Sequence, residues 1–342
     1  MSIAKAITTR VPGKARLRSA RESGYELAAR ASRALRARRD GATPAIRSPG
    51  DDRGGNEVES YWGRHTVNTL RLWTPRASAK QLEWRFEKYP LFREFSGLWG
   101  DHGGQVVLDY GCGPGNDVVG LALHSGARRI IGVDVSRKAL EMAADRIALH
   151  GVDPARTELV LSDEQKAEVP LADASVDYFQ SQGVLHHTSA PELLLAELRR
   201  VLVPGGRGTI MVYNRDSIWF HLYSGYELRF GDEAFAGLEP EEAFKRSTDG
   251  VDCPISRCYR GPGFAALCES AGFEVEYLGG YLSDLELDTL RRSWARAIID
   301  DQLESEHRDF LRSLTFDPSG YPMYDGMHAG IGGTYRVRRP ED

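Results

Sequence analysis

The run Val106-Val107-Leu108-Asp109-Tyr110-Gly111-Cys112-Gly113-Pro114-Gly115-Asn116 concentrates more chemistry than any other stretch of the chain. An apolar strand breaks into glycines at alternate positions, where backbone without a Cβ can bend tightly and approach a ligand closely. A second apolar stretch, beginning at Arg129, ends in Asp134 about 20 residues past the glycines, where a carboxylate can accept both hydroxyls of a ribose. Strand, glycine turn, helix, strand and acid in this order predict a nucleoside site. A dinucleotide would ask for more: the third glycine of G-x-G-x-x-G and free N–H groups at the helix start to hold a pyrophosphate. Asn116 stands where that glycine falls, and Pro114 deletes a donor from the loop. The loop therefore suits a ligand without phosphates.

The motif Asp109-Tyr-Gly-Cys-Gly-Pro-Gly115 resembles the signature of class I S-adenosylmethionine-dependent methyltransferases of the small-molecule type. The resemblance runs from about Val106 to Asn214, and its parts follow in order. Ser136 is a candidate N-cap for a helix from Arg137 to His150, in which Leu140, Ala144 and Ile147 keep helical spacing. The strand Thr157–Ser162 then ends at Asp163 and Glu164. The segment Pro170 to Phe179 leads through a fourth strand into Gln180-Ser-Gln-Gly-Val-Leu-His-His187, and the helix Pro191 to Leu202 stops at Pro204-Gly205-Gly206 before the strand Gly208–Tyr213.

The resemblance implies a doubly wound α/β fold, a mostly parallel, Rossmann-like, seven-stranded sheet with a helical N-terminal cap and lid insertions. It implies S-adenosyl-L-methionine as cofactor, held by Asp109, Gly111, Gly113, Gly115, Asp134 and the adjoining Val135. Asp163 is its first choice for the adenine amine and Glu164 its second, while Gln182 belongs to the segment that follows the methionine part. Caps of this family fold over the cofactor, so Tyr61, Trp62 and His65 in Tyr61-Trp-Gly-Arg-His65 are expected to line the pocket. Trp73, Trp84 and Phe86 read as packing residues of the same cap.

Methyl transfer from a sulfonium is an in-line displacement on an activated donor, so a protein accelerates it mainly by aligning the acceptor and expelling water. A hydroxyl acceptor must also lose a proton, which favours a histidine near the methyl group. His187 just after the fourth strand is the first candidate, followed by His186 and then His221, with His65 and His328 as loop alternatives. The [Asp/Asn]-Pro-Pro-[aromatic] clamp of enzymes that methylate exocyclic amines of nucleic-acid bases is absent, since Ser181-Gln-Gly-Val-Leu185 occupies its place. The expected acceptor is a small or medium-sized metabolite methylated on oxygen of a sugar, phenol or carboxyl group; N- or C-methylation is the alternative. Two other classes stay open: a nicotinamide-dependent oxidoreductase, disfavoured by Asn116 and Pro114, and a catalytically silent partner subunit that keeps the fold.

At 342 residues the chain exceeds what one such catalytic domain needs. The sequence divides into an arm and linker at 1–55, a helical cap at 56–100 and a methyltransferase domain at 101–342, with insertions at about 215–262 and 284–331. Within the second insertion, helices are expected over Leu285–Gln302 and Glu304–Leu314, splitting the closing strands Phe273–Leu278 and Thr334–Arg338. Residues 1–50 hold twelve Lys and Arg against three acids, a basic arm that composition reads as mostly disordered; Leu27, Ala31 and Leu35 would line a short amphipathic helix suited to a membrane surface, RNA or a partner protein. A net charge of −5 argues against bulk nucleic-acid binding by the whole chain. Four cysteines without a C-x-x-C pair predict neither a metal site nor a disulfide framework and favour a cytoplasmic setting. No apolar stretch approaches the roughly 18 residues that span a bilayer.

Overall fold

The computed structural model describes residues 43–48, 56–66, 72 and 74–341. The basic arm up to residue 42, the linker at 49–55 and Trp73 lie outside the described residues.

Alternation along one strand shows how the molecule is layered. In β2 (Val106–Tyr110) every residue is buried, with Val106, Leu108 and Tyr110 packing into one apolar cluster and Val107 into another. Successive side chains of a strand point to opposite faces, so a strand buried on both reads as a continuous apolar run. The first cluster receives Leu194, Leu195 and Leu198 of the helix Pro191–Val201. The second receives Val118 and Leu121 of Asn116–His124 and Leu140 and Ile147 of Arg137–Leu149. Helices thus cover both faces of the sheet.

The sheet contains β1 (Ile46–Arg47), β2, β3 (Arg129–Asp134), β4 (Thr157–Leu161), β5 (Val176–Gln182), β6 (Leu202–Asn214), β7 (Cys258–Tyr259), β8 (Glu274–Tyr281) and a closing strand, Gly332–Arg338. Their order is β1-β4-β3-β2-β5-β6-closing strand-β8, with the short β7 beside β6. All pairings are parallel except those of the closing strand, which is antiparallel to both β6 and β8. The seven strands of the family pattern are present, and two dipeptide strands add to them. One of these, Ile46–Arg47, falls in the stretch read as arm and linker; Arg47 is tied to Glu158 at 2.8 Å and to the Pro170 carbonyl at 2.8 Å. From β2 the chain moves outward to β3 and β4, then crosses back to β5 on the other side of β2. Such a reversal opens a crevice at the carboxyl ends of the strands.

Two element ends differ from the sequence reading. The break expected at Pro204-Gly-Gly206 is an irregularity inside β6: pairing jumps from Val176–Leu202 to Tyr178–Arg207, and Gly205 takes φ +73°. The helix expected to run to Gln302 ends at Ala297. Asp300 turns the chain there, accepting from the Gln302 N–H at 3.0 Å and the Tyr226 hydroxyl at 2.8 Å.

Between β8 and the closing strand, the helices Asp284–Ala297 and Ser305–Arg312 form a small core with a ten-residue π-helix, Trp219–Leu228. A three-stranded sheet of two- and three-residue strands at Thr315–Phe316, Pro322–Tyr324 and Met327–His328 completes this region. Buried Glu286 joins the parts. It forms a capping box with Ser283, accepts from the Trp219 N–H at 3.1 Å, and is hydrogen-bonded by the backbone of Ile331. Glu286→Ala strands these buried donors, each worth about 1–3 kcal/mol. Urea unfolding is expected to show a loss of about 3 kcal/mol or more; a loss below about 1 kcal/mol would show that the region is held otherwise.

Candidate functional site

Gly111, Gly113 and Gly115 all adopt positive φ, at +78°, +51° and +76°, but for different ends. A Cβ on Gly111 would stand 2.2 Å from Val184 of the loop after β5, and one on Gly115 would stand 2.7 Å from Ala143. A Cβ on Gly113 would meet nothing within 4 Å. It faces a cavity.

Every N–H of this loop has a partner in the protein. Gly111 and Cys112 donate to the Val133 carbonyl at 2.7 and 2.9 Å, Gly113 to Asp134 Oδ2 at 2.8 Å and Gly115 to the Cys112 carbonyl at 3.0 Å, while Pro114 has none. No donor from 111 to 115 is left for a pyrophosphate. Asp134 is the loop's clasp, its Oδ1 accepting from the Ser136 N–H at 2.8 Å. Burial pushes its carboxyl above the usual range against these backbone donors. Each oxygen keeps a lone pair for a further donor.

The cavity measures about 130 Å³. Its lining draws on the carboxyl ends of four strands: Tyr110, Gly111 and Gly113 at β2, Asp134, Val135, Ser136 and Ala139 at β3, Ser162 and Glu164 at β4, and Gln182, Gly183, Val184, His187 and Thr188 at β5. The roof is the helix Glu57–Arg64, which contributes Val58 and Trp62, with Thr66 just beyond it. That helix is fastened by its first turn, where Asn56 caps its start and hydrogen-bonds Glu164, and Glu59 accepts from the Glu164 N–H at 2.8 Å. Inside, the Ser162 hydroxyl and both polar atoms of the Gln182 amide are buried without a protein partner.

A methyltransferase domain family matches residues 108–210. "Methyltransferase GfsG" of Streptomyces halstedii is 38% identical over 104 residues, 30% of this chain and 36% of that protein. "O-methyltransferase resE" of Aspergillus sclerotiorum is 30% identical over 135 residues, 40% of this chain and 49% of the relative. This chain thus spans half or less of the length of these two. "Probable methyltransferase ltbC" of Aspergillus luteorubrus is 32% identical over 259 residues, covering 66% of this chain and 84% of that protein. The chain belongs to the class I S-adenosylmethionine-dependent methyltransferases.

The residues of this methyltransferase fit the cofactor of its family. Gly113 leaves open space, Asp134 offers lone pairs at the end of β3, and the lining residues Ser162 and Gln182 carry polar atoms without a hydrogen-bond partner. Gly111, Gly113, Asp134, Val135, Glu164, Gln182 and His187 all line this cavity. Others stand elsewhere. Asp109 is 2% exposed beneath the loop, bonded to Gln180 at 3.2 Å, and desolvation together with neighbouring Asp117 raises its pKa well above the carboxylate norm. Gly115 serves helix packing through Ala143. Asp163, the first choice for the adenine amine, caps the turn Glu164–Lys166 and pairs with Lys166. Glu164 lines the pocket, but its carboxylate already accepts from Asn56 and from the Ser189 N–H at 2.7 Å and hydroxyl at 2.5 Å. Tyr61 points away to donate to the Asp249 carbonyl, and the neighbouring Trp62 takes the pocket position. His65 stacks on Tyr61.

The three candidate histidines separate clearly. His186 is fully buried against Tyr213, ring centroids 3.8 Å apart, and neither nitrogen has a partner. His221 lies in a different pocket with Arg260, Glu306, Phe310 and Tyr324, its Nδ1 3.0 Å from Nδ1 of His307. Only His187 of the three lines the cavity beside Gly113 and Asp134. Sequence reasoning missed Val58, Thr66 and Ser162, which sit on no motif, and it missed Asp249 of the first insertion, whose carboxylate stands 3.5 Å from His187 Nε2. No signal at fixed spacing marks any of them. The four cysteines are unpaired, and the Cys253 thiol groups with a ring nitrogen of His187 and a carboxylate oxygen of Asp249, all within 4.8 Å of one another. Among the described residues no helix is long and apolar enough to cross a membrane.

Asp134→Ala removes the loop's clasp together with the acceptor expected for the ribose hydroxyls. Two hydrogen bonds to a charged acceptor are worth together about 3 kcal/mol, or roughly a hundredfold in affinity. Calorimetry with S-adenosylhomocysteine should register that loss; unchanged affinity would remove Asp134 from the site.

Proposed function

We propose that this chain transfers a methyl group from S-adenosylmethionine to a hydroxyl of a small or medium-sized metabolite, a sugar or phenol first and a carboxyl group next. The observation that carries this reading is the placement of His187 in the wall of the cofactor cavity, opposite a roof of Val58 and Trp62. When bound, the cofactor supplies a methyl group on a sulfonium, open to in-line displacement.

The chain's own residues do the rest. Asp134 would hold the ribose, and the loop 111–115 shapes the wall beside it. Trp62 and Val58 cover the cavity and keep water from the reacting atoms, which strengthens each electrostatic contact inside. The ring of His187 is fixed through Nδ1, 2.7 Å from the Ile255 carbonyl. A carbonyl oxygen only accepts, so the ring proton sits on Nδ1 and Nε2 keeps its lone pair. Burial holds the ring's pKa below the usual histidine value, with Asp249 opposing that shift. The neutral ring is therefore the form present near neutral pH, and it is the form that can take a proton.

A carboxylate acceptor needs no base, so a histidine held in this way weighs toward a hydroxyl. The similarity to a protein named as an O-methyltransferase supports the same choice. Methylation on nitrogen or carbon of a small molecule is the alternative. Incubation with methyl-labelled S-adenosylmethionine and a panel of hydroxyl, carboxyl and amine acceptors, read by mass spectrometry, tests the assignment. Label on an amine or carbon and on no oxygen would overturn it.

A further inference from the structure

The loop after the helix Pro240–Thr248 in the first insertion lays Asp249, Cys253 and Ile255 beside His187, with Ser256 against Asp249. With its proton on Nδ1, the ring turns the Nε2 lone pair toward Asp249 Oδ1, 3.5 Å away. Two electron-rich atoms so placed repel, and the arrangement becomes attractive once Nε2 is protonated. The carboxylate has little freedom to turn aside. Tyr213 donates to its Oδ1 at 2.9 Å, Ser256 and Thr248 donate to Oδ2 at 2.7 and 2.8 Å, and the Asp249 carbonyl accepts from Tyr61 of the roof helix. Asp249 and His187 are both nearly excluded from solvent, each with 6% of its side chain exposed.

We propose that Asp249 is a positioning residue for His187, holding a fixed negative charge where the ring becomes positive as it takes the acceptor's proton. The proposal rests on the reading of His187 as the base, and it makes the first insertion part of the catalytic apparatus. In the step it serves, the acceptor's O–H bond breaks and its proton passes to Nε2. An oxygen electron pair forms the O–C bond, and the pair of the breaking C–S bond stays on sulfur, which ends as a neutral thioether.

The other groups facing the ring are the His186 ring at 4.1 Å, Trp62 at 4.7 Å, Tyr213 at 5.7 Å, the Cys253 thiol, and Arg257, whose charge opposes that of the protonated ring. Arg257 is anchored on the Thr188 carbonyl. Asp249 is thus the acid set against Nε2, and the carboxylate whose removal the ring should sense.

Ring-labelled histidine NMR of the full chain in metal-free buffer, with the His187 signal assigned through His187→Ala, tests this without an acceptor. In the wild type, His187 should titrate reversibly below pH 6.5. In Asp249→Asn its midpoint should fall by about one pH unit or more, the size expected for loss of an opposite charge at this range. S-adenosylhomocysteine affinity should stay within about threefold, since Asp249 does not line the cavity. Tyr213→Phe removes a donor from Oδ1 and leaves more of the negative charge for the ring, so the midpoint should rise; if Asp249→Asn does not fold, this variant carries the test. An unchanged midpoint in Asp249→Asn, a wild-type ring that does not titrate down to pH 4, or an unmoved or lowered midpoint in Tyr213→Phe would each overturn the proposal. So would stoichiometric zinc in the purified protein that disappears in both Asp249→Asn and Cys253→Ser, because the cluster would then be a metal site. Failure of the wild type to bind S-adenosylhomocysteine would undo the cofactor reading instead.

Discussion

Gly113→Val is expected to abolish binding of S-adenosylhomocysteine while leaving the protein folded. Gly113 sits at φ +51° with nothing within 4 Å of where a Cβ would stand, so the new side chain projects into the cavity and meets no protein atom. The left-handed backbone costs a β-branched residue on the order of 1–3 kcal/mol. The continuous apolar clusters on both faces of the sheet should bear that cost, since β2 and β3 are untouched. Circular dichroism should report a native spectrum and calorimetry no heat of binding. The comparison variant is Gly115→Val, which drives its side chain into Ala143 and should lower the unfolding temperature instead. Normal binding by Gly113→Val would show that this loop does not face the ligand.

His187→Ala should slow methyl transfer by about a hundredfold or more, within the range for removal of a general base, with little change in cofactor affinity. The pH profile carries a sign. A base is active when unprotonated, and burial lowers the His187 pKa from its ordinary value. The wild-type rate should therefore be on its plateau at pH 7 and fall only as the medium becomes acidic. His186→Ala is the control for proximity. Alternation along a strand would aim the two rings apart, but Leu185–His187 is a tight turn and the ring centroids are 4.1 Å apart, so the pair separates by depth instead. His186, with no exposed surface and Tyr213 against its ring, should cost stability when removed and leave the rate nearly unchanged. A small, equal effect of both substitutions would mean that alignment alone drives the reaction.

The sheet could be read from the sequence because its strands carry the simplest signal, an apolar run closed by glycine or acid at the point where the chain must turn. Val106 to Asp134 contains such a signal twice, and the cavity-lining positions set by the backbone, Gly111, Gly113, Asp134 and Val135, came with it. Contacts that depend on where a side chain points did not. Asp163 and Glu164 are adjacent and both acidic, yet one caps a turn at the surface and the other is buried under Asn56 and Ser189. Tyr61 and Trp62, both expected in the pocket, likewise part because a helix turns about 100° per residue, and only Trp62 reaches it. Dipeptide strands such as Ile46–Arg47 carry too few residues for any period to show. Asp249 illustrates the hardest case: it reaches His187 across 62 positions through an insertion, with no motif at either end.

The most direct measurement is calorimetric titration of the full chain with S-adenosylhomocysteine and, in parallel, with reduced nicotinamide dinucleotide. A loop whose N–H groups are all engaged, beside a carboxylate with lone pairs to offer, predicts one molecule of S-adenosylhomocysteine bound per chain and no heat from the dinucleotide. Binding of the dinucleotide with none of S-adenosylhomocysteine would contradict the account of the site.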